Sequence, residues 1–183
     1  MLLSGAPLVA QDRPLLLEIH GGAAVPMGTF ADGAASGEGA TPGPALSVLF
    51  AAPSGGWRTL YLGFSQNRFG CEDAGCDAAG RLVATGFNAG IRIAPVPGHL
   101  VMPWVRLGAI TTRVETGDLP APDAGVSELG FGGEVGGGIY VGGDRPFAVN
   151  PSVTLSMVDT TLPGGASLRL RYLTAHLGIV FAF

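Results

Sequence analysis

Residues 172–183 constrain this chain more than any other stretch. Leu173, Ala175, Leu177, Ile179, Phe181 and Phe183 form an apolar row with a period of two, and Tyr172, Thr174, His176 and Gly178 fill the intervening row with polar or small groups. Successive side chains of a strand point to opposite faces, so one face of this segment is oily and the other is not. A terminal strand in a water-soluble protein frays, and fraying would expose such a row. A barrel in a bilayer has a use for it, because its outward face meets lipid and its inward face meets water and polar groups.

The same alternation recurs along the chain. Leu15, Leu17, Ile19, Ala23 and Val25 oppose Glu18, His20 and Gly22; Leu46, Val48 and Phe50 oppose Ser47; Leu60, Leu62 and Phe64 oppose Thr59, Gly63 and Ser65. Phe87, Ala89, Ile91 and Ile93 oppose Asn88, Gly90 and Arg92, while Val101, Val105, Leu107 and Ala109 oppose Arg106 and Gly108. Phe131, Val135, Ile139 and Val141 oppose Glu134, Gly136, Gly138 and Tyr140, and Val149, Val153, Leu155 and Met157 oppose Asn150, Ser152, Thr154 and Ser156. With the C-terminal segment these make eight. The connections alternate in length: Pro26–Pro42, Arg68–Gly80, Glu115–Glu128 and Asp159–Ala166 are long. Pro53-Ser-Gly-Gly56, Pro95-Val-Pro-Gly98 and Gly142-Gly-Asp-Arg145 are short turns whose Gly and Pro supply the dihedrals. The pattern predicts an all-β protein, an eight-stranded antiparallel up-and-down transmembrane β-barrel. Long loops would lie on one rim, with short turns and both termini on the other. Spanning helices are excluded, since the apolar runs fall far short of the roughly 20 residues a helix needs to cross a bilayer.

All ten basic residues are arginine and the net charge is −4, with no basic patch interleaved with aromatics, which argues against nucleic acid as a partner. The acids gather in the long connections as Asp32, Glu38, Glu72, Asp73, Asp77, Glu115, Asp118, Asp123, Glu128 and Asp159. Cys71 and Cys76 stand close together in one such connection, and a small loop disulfide in an oxidising compartment suits that spacing better than a redox or zinc motif. Residues 1–13 read as a signal-peptide remnant or an N-terminal extension, leaving 14–183 as the barrel domain. Trp57, Trp104, Phe147 and Tyr172 fall near the predicted borders of the apolar zone, where amphipathic rings favour the headgroup region, and are expected to form an aromatic girdle.

Parity turns Glu18, His20, Arg92, Arg106, Glu134 and His176 inward. Eight strands enclose a space that side chains fill, and buried charges must pair there. Glu134 is expected to pair with Arg106 or Arg92, with Glu18 as a second acceptor, giving a polar plug. His20 and His176 lie on neighbouring strands of a closed barrel; a metal shared with Glu18 is conceivable chemistry, but a hydrogen-bonded interior is favoured and no metal or cofactor is assigned. The glycine run from Gly130 breaks the dinucleotide pattern at Val135, and its inward glycines make room for large neighbours instead.

Pro103-Trp-Val-Arg-Leu-Gly-Ala109, Gly130-Phe-Gly-Gly-Glu-Val-Gly-Gly-Gly138 and the terminal Phe183 resemble the small bacterial outer-membrane β-barrel proteins of the OmpA/OmpX type over residues 14–183. The resemblance implies a non-enzymatic role, structural or in surface interaction, in the bacterial outer membrane. It implies extracellular acidic loops, periplasmic termini and outer-membrane lipid as the surrounding partner. It further implies that Phe181 and Phe183 belong to the C-terminal signal read by the barrel-assembly machinery. Two alternatives share the architecture. One is a self-assembling, homo-oligomeric barrel subunit of an envelope array or extracellular tube; the other is a lipid A-modifying enzyme, for which none of the three histidines stands at a telling distance from a serine.

Overall fold

A computed structural model describes residues 15–31, 39–71, 81–94, 100–117, 125–142, 147–162, 165 and 167–183. Eight long strands dominate it: β1 (Leu16–Pro26), β2 (Gly43–Gly55), β3 (Arg58–Cys71), β4 (Arg81–Ile93), β5 (Val101–Gly117), β6 (Gly130–Val141), β7 (Phe147–Thr161) and β8 (Ser167–Ala182). Each pairs antiparallel with its chain neighbour, and β8 pairs with β1, so the sheet closes on itself. Closure leaves no strand edge along the wall. Among the described residues no helix is long and apolar enough to cross a membrane.

The ladder fixes how the strands are staggered. From Leu16 the paired residues run through Ala51, Tyr61, Gly90, Gly108, Glu134, Ser156 and Tyr172 back to β1 at Pro26, ten residues further on. Such a shear tilts the strands by roughly 40° to the barrel axis. The first and last described residues sit together at the turn end: Leu15 N–H donates to the Phe183 carbonyl at 2.9 Å and Phe183 N–H to that of Leu15 at 3.1 Å. The β2–β3 turn requires its glycines, since Gly55 and Gly56 take φ of 117° and 55°, which residues with a Cβ rarely adopt.

Strands reach further toward the loop end than alternation alone indicated. Glu115 and Asp159, read as loop residues, lie within β5 and β7. Ala40–Thr41 and Gly125–Val126 add short rungs beside β3 and β5, and Gly28–Phe30 forms a single 3-10 turn. The Cys71–Cys76 bridge lies outside the described residues, as do residues 1–14 and the loop acids Asp32, Glu38, Glu72, Asp73, Asp77, Asp118 and Asp123.

Candidate functional site

The outer wall is apolar over most of its height. Ile19, Leu46, Phe50, Leu62, Phe87, Val105, Leu107, Val135, Leu177, Ile179 and Phe181 all expose large fractions of their surface, with Leu177 at 62% and Leu107 at 70%. On the last strand the apolar row runs from Leu173 to Phe183; ten rises of ~3.3 Å at a tilt of ~40° cover about 25 Å. That is the height of the apolar band on a membrane barrel. Soluble monomers rarely expose a continuous hydrophobic surface of this size.

Inside the same strands most side chains are polar, beside a few apolar ones such as Leu49 and Val180, and the polar ones form two linked ion-pair clusters. Nearer the turn end stands Glu18 of β1, fully buried. Arg92 of β4 forks onto both of its oxygens, through Nη1 to Oε1 and through Nη2 to Oε2 at 3.1 Å. Tyr140 O–H donates to Oε1 at 2.8 Å, Asn150 Nδ2 to Oε2 at 3.2 Å, and His20 Nε2 lies 3.0 Å from Oε2. Both carboxylate oxygens are therefore satisfied, which is the condition for keeping the charge buried. The second cluster centres on Glu134 of β6: Tyr61 O–H donates to Oε1 at 2.7 Å, Asn88 Nδ2 spans both oxygens at 3.1 Å, and Arg106 Nε stands 3.4 Å from Oε1. Arg106 also donates through Nη2 to Thr154 Oγ1 at 3.0 Å. The two guanidinium groups flank Trp104, with Cζ at 4.6 Å from the ring centroid for Arg92 and 5.9 Å for Arg106, an additional cation–π anchorage.

Two members of the expected girdle lie in this interior. Trp104 and Tyr172 are buried on the lumen side, not set in an outer ring. Trp104 Nε1 donates to Asn150 Oδ1 at 3.0 Å, and the Tyr172 hydroxyl accepts from Asn67 Nδ2 at 3.4 Å while its ring packs 5.4 Å from that of Phe69. Parity is the reason: Trp104 is two residues from Arg106 and Tyr172 two from Thr174, so both share the inward row. Trp57 and Phe147 stand outside at the turn end, 47% and 55% exposed. Phe181 and Phe183 also face outward. His20 and His176 meet edge to face at 5.8 Å between ring centroids. Among the described residues no group of three or more His, Cys, Asp or Glu is placed to hold a metal.

Glycines give these large side chains their space. A Cβ on Gly138 would stand 2.7 Å from Trp104 Cζ2, and one on Gly136 would stand 2.7 Å from Thr154 Oγ1 and 3.3 Å from Arg106 Nε. A small cavity in the lumen between Asn67, Asn88, Arg106, Thr154 and Thr174 has room for about one water molecule at most.

Toward the loop end the polarity of the wall reverses. Phe30, Phe69, Leu82, Val114, Val158, Leu168 and Leu170 pack into an apolar plug inside the barrel. Arg68, Arg113, Glu115, Asp159, Arg169 and Arg171 stand outside on the same strands. Apolar-in and charged-out is the arrangement of a barrel in water, so the exchange marks where the hydrocarbon zone stops. Alternation along any one strand continues through this point unbroken, which is why periodicity alone did not reveal it.

Closed by eight antiparallel strands with a shear of ten, oily outside and ion-paired within, the chain has the fold of the small outer-membrane β-barrels. It is similar to Neisserial surface protein A, with a TM-score of 0.67 at 11% identity over 92% of this chain and 97% of that one. The outer membrane protein OprG of Pseudomonas aeruginosa gives 0.60 at 15% identity over 93% and 97%, and the attachment invasion locus protein Ail of Yersinia pestis gives 0.52 at 13% over 93% and 99%. No protein-family model and no curated protein matches the chain.

Proposed function

We propose that this chain is a non-enzymatic protein of the bacterial outer membrane, a plugged barrel that presents its long acidic loops for structural or surface contacts. One observation carries the reading: a belt of about 25 Å of exposed apolar side chains surrounds a lumen filled by paired charges. In this reading the termini face the periplasm, the loop rim faces outward, and Phe181 and Phe183 help the assembly machinery recognise the last strand. The paired carboxylates are not free for chemistry, since Glu18 and Glu134 are each held by several donors.

Fractionation of expressing cells tests the location, and planar-bilayer recording tests the plug. The protein should appear in the outer-membrane fraction, need detergent for extraction and migrate differently on a gel before and after boiling. It should give no steady single-channel steps. Recovery as a water-soluble monomer would overturn the membrane reading; stable conductance would overturn the plug alone.

A further inference from the structure

His20 of β1 and His176 of β8 share the inner face of the seam that closes the barrel, and their rings meet edge to face. Glu18 fixes the state of the first. Its carboxylate, forked by Arg92, can only accept, so His20 Nε2, 3.0 Å from Oε2, carries the proton and donates. In the neutral ring Nδ1 is then a bare lone pair. Among the described residues Nδ1 of His20 has no hydrogen-bond partner, and neither has Nε2 of His176, although both atoms are buried. Burying polar atoms without partners is costly. His20 lies between Ser47 and Gly178 in its ladder row, and His176 between Gly22 and Ser152 in its own, so no further carboxylate or imidazole flanks the pair.

Glycine clears the space beside them. A Cβ at Gly178 would stand 2.6 Å from His20 Nδ1, so this edge of the ring lies against the strand that carries His176, two residues away on the same face. The spacing of the rings has a chemical meaning. With metal–nitrogen bonds of ~2.0 Å, two imidazoles on one ion place their centroids about 5 Å apart at a tetrahedral angle and about 6 Å apart in line. The observed 5.8 Å falls between those limits. His176 has only to turn about χ2, a broad torsion in histidine, to aim Nε2 at His20 Nδ1. A carboxylate behind the ring, as Glu18 stands behind His20, is the usual outer support of a metal-bound histidine.

Charge and ligand number select the ion. Glu18 and Glu134 balance Arg92 and Arg106, so the lumen is neutral while both histidines are neutral. Desolvation costs rise with the square of the charge, which favours a monovalent ion over a divalent one. Among the described residues no third acidic, cysteine or histidine ligand joins the pair, whereas zinc takes four. We propose that His20 Nδ1 and His176 Nε2 bind one monovalent d10 metal ion, copper(I) or its analogue silver(I), with Glu18 as the residue that positions His20. The site is built from the lumen alone and does not depend on the membrane reading above.

The test uses the full chain, labelled with nitrogen-15 at its histidines and folded into detergent micelles with silver(I) present, so that entry into a closed lumen sets no limit. Gel mobility before and after boiling confirms that each sample is folded. Cys71 and Cys76 also attract soft ions, so the readout is the histidine nitrogen itself: coupling to the silver nucleus splits the resonance of a nitrogen bound to it. In the wild type His20 Nδ1 and His176 Nε2 should both be split. His20→Gln should remove the splitting at His176, and His176→Gln that at His20, while His99→Gln should leave both. Gly178→Ala, whose Cβ would displace the His20 ring, should weaken silver binding by about 10–100-fold, the range seen when the support of a metal ligand is disturbed. Zinc offered alone should leave both resonances in place. Unsplit resonances in the folded wild type, or a splitting at one histidine that survives loss of the other, overturn the proposal. A response to zinc as large as that to silver overturns the monovalent assignment. Should a variant fail to fold, the wild-type spectrum decides alone.

Discussion

Arg92 and Arg106 are direct cross-strand partners on the lumen face of β4 and β5, yet each guanidinium turns to a different carboxylate, Arg92 to Glu18 and Arg106 to Glu134. Like charges placed opposite each other on a sheet repel. Here the repulsion is offset because the carboxylates come from β1 and β6, on opposite sides of the β4–β5 pair, and draw the cations apart. The arrangement ties four strands together through the barrel centre.

Removing one partner of such a pair strands a buried charge. Glu18→Gln should destabilise the barrel by about 3–5 kcal/mol, read from urea unfolding in detergent micelles. The double change Glu18→Gln with Arg92→Met should recover most of that loss. Independent, additive losses would show that the pair is not coupled.

Space around Trp104 is as demanding as charge. Gly138→Val should cost about 1–3 kcal/mol, because its side chain would press on Trp104 and Ser152. Gly137→Ala, whose Cβ meets nothing nearer than 3.4 Å, should stay within about 0.5 kcal/mol of the wild type. Unfolding curves that place the two variants together would contradict the packing described for the interior.

The two tryptophans should differ in their solvent. Trp57 is exposed at the turn end and Trp104 is buried beside Asn150. Brominated lipids or iodide should quench the fluorescence of the Trp104→Phe protein, which retains Trp57. They should leave that of the Trp57→Phe protein nearly unchanged. Strong quenching of Trp104 would return it to an outer girdle.

The belt can be probed by charge at known height. Leu177→Arg, at the middle of the apolar row, should cost about 2–4 kcal/mol in a bilayer, whereas a change at Arg171 such as Arg171→Leu should cost less than about 1 kcal/mol. Equal tolerance at both positions, measured by folding into phosphatidylcholine vesicles, would deny that residue 177 meets hydrocarbon.

Alternation by itself determined the strands and their faces, since a side chain's side of the wall depends only on local parity. That is how Glu18, Arg92, Arg106 and Glu134 could be turned inward from residue order, and how Asn88, Tyr140 and Asn150 fell on the same rows without being recognised as their partners. Position along a row misled the reading of Trp104 and Tyr172, where closeness to a presumed border was allowed to outweigh parity. Which acid meets which base was decided by the ten-residue stagger of the closed barrel, because that offset sets the heights at which distant strands face one another across the lumen. The same closure placed an apolar plug behind charged wall residues at the loop end. A linear sequence carries parity in every pair of neighbours, but height and facing arise only when the last strand locks onto the first.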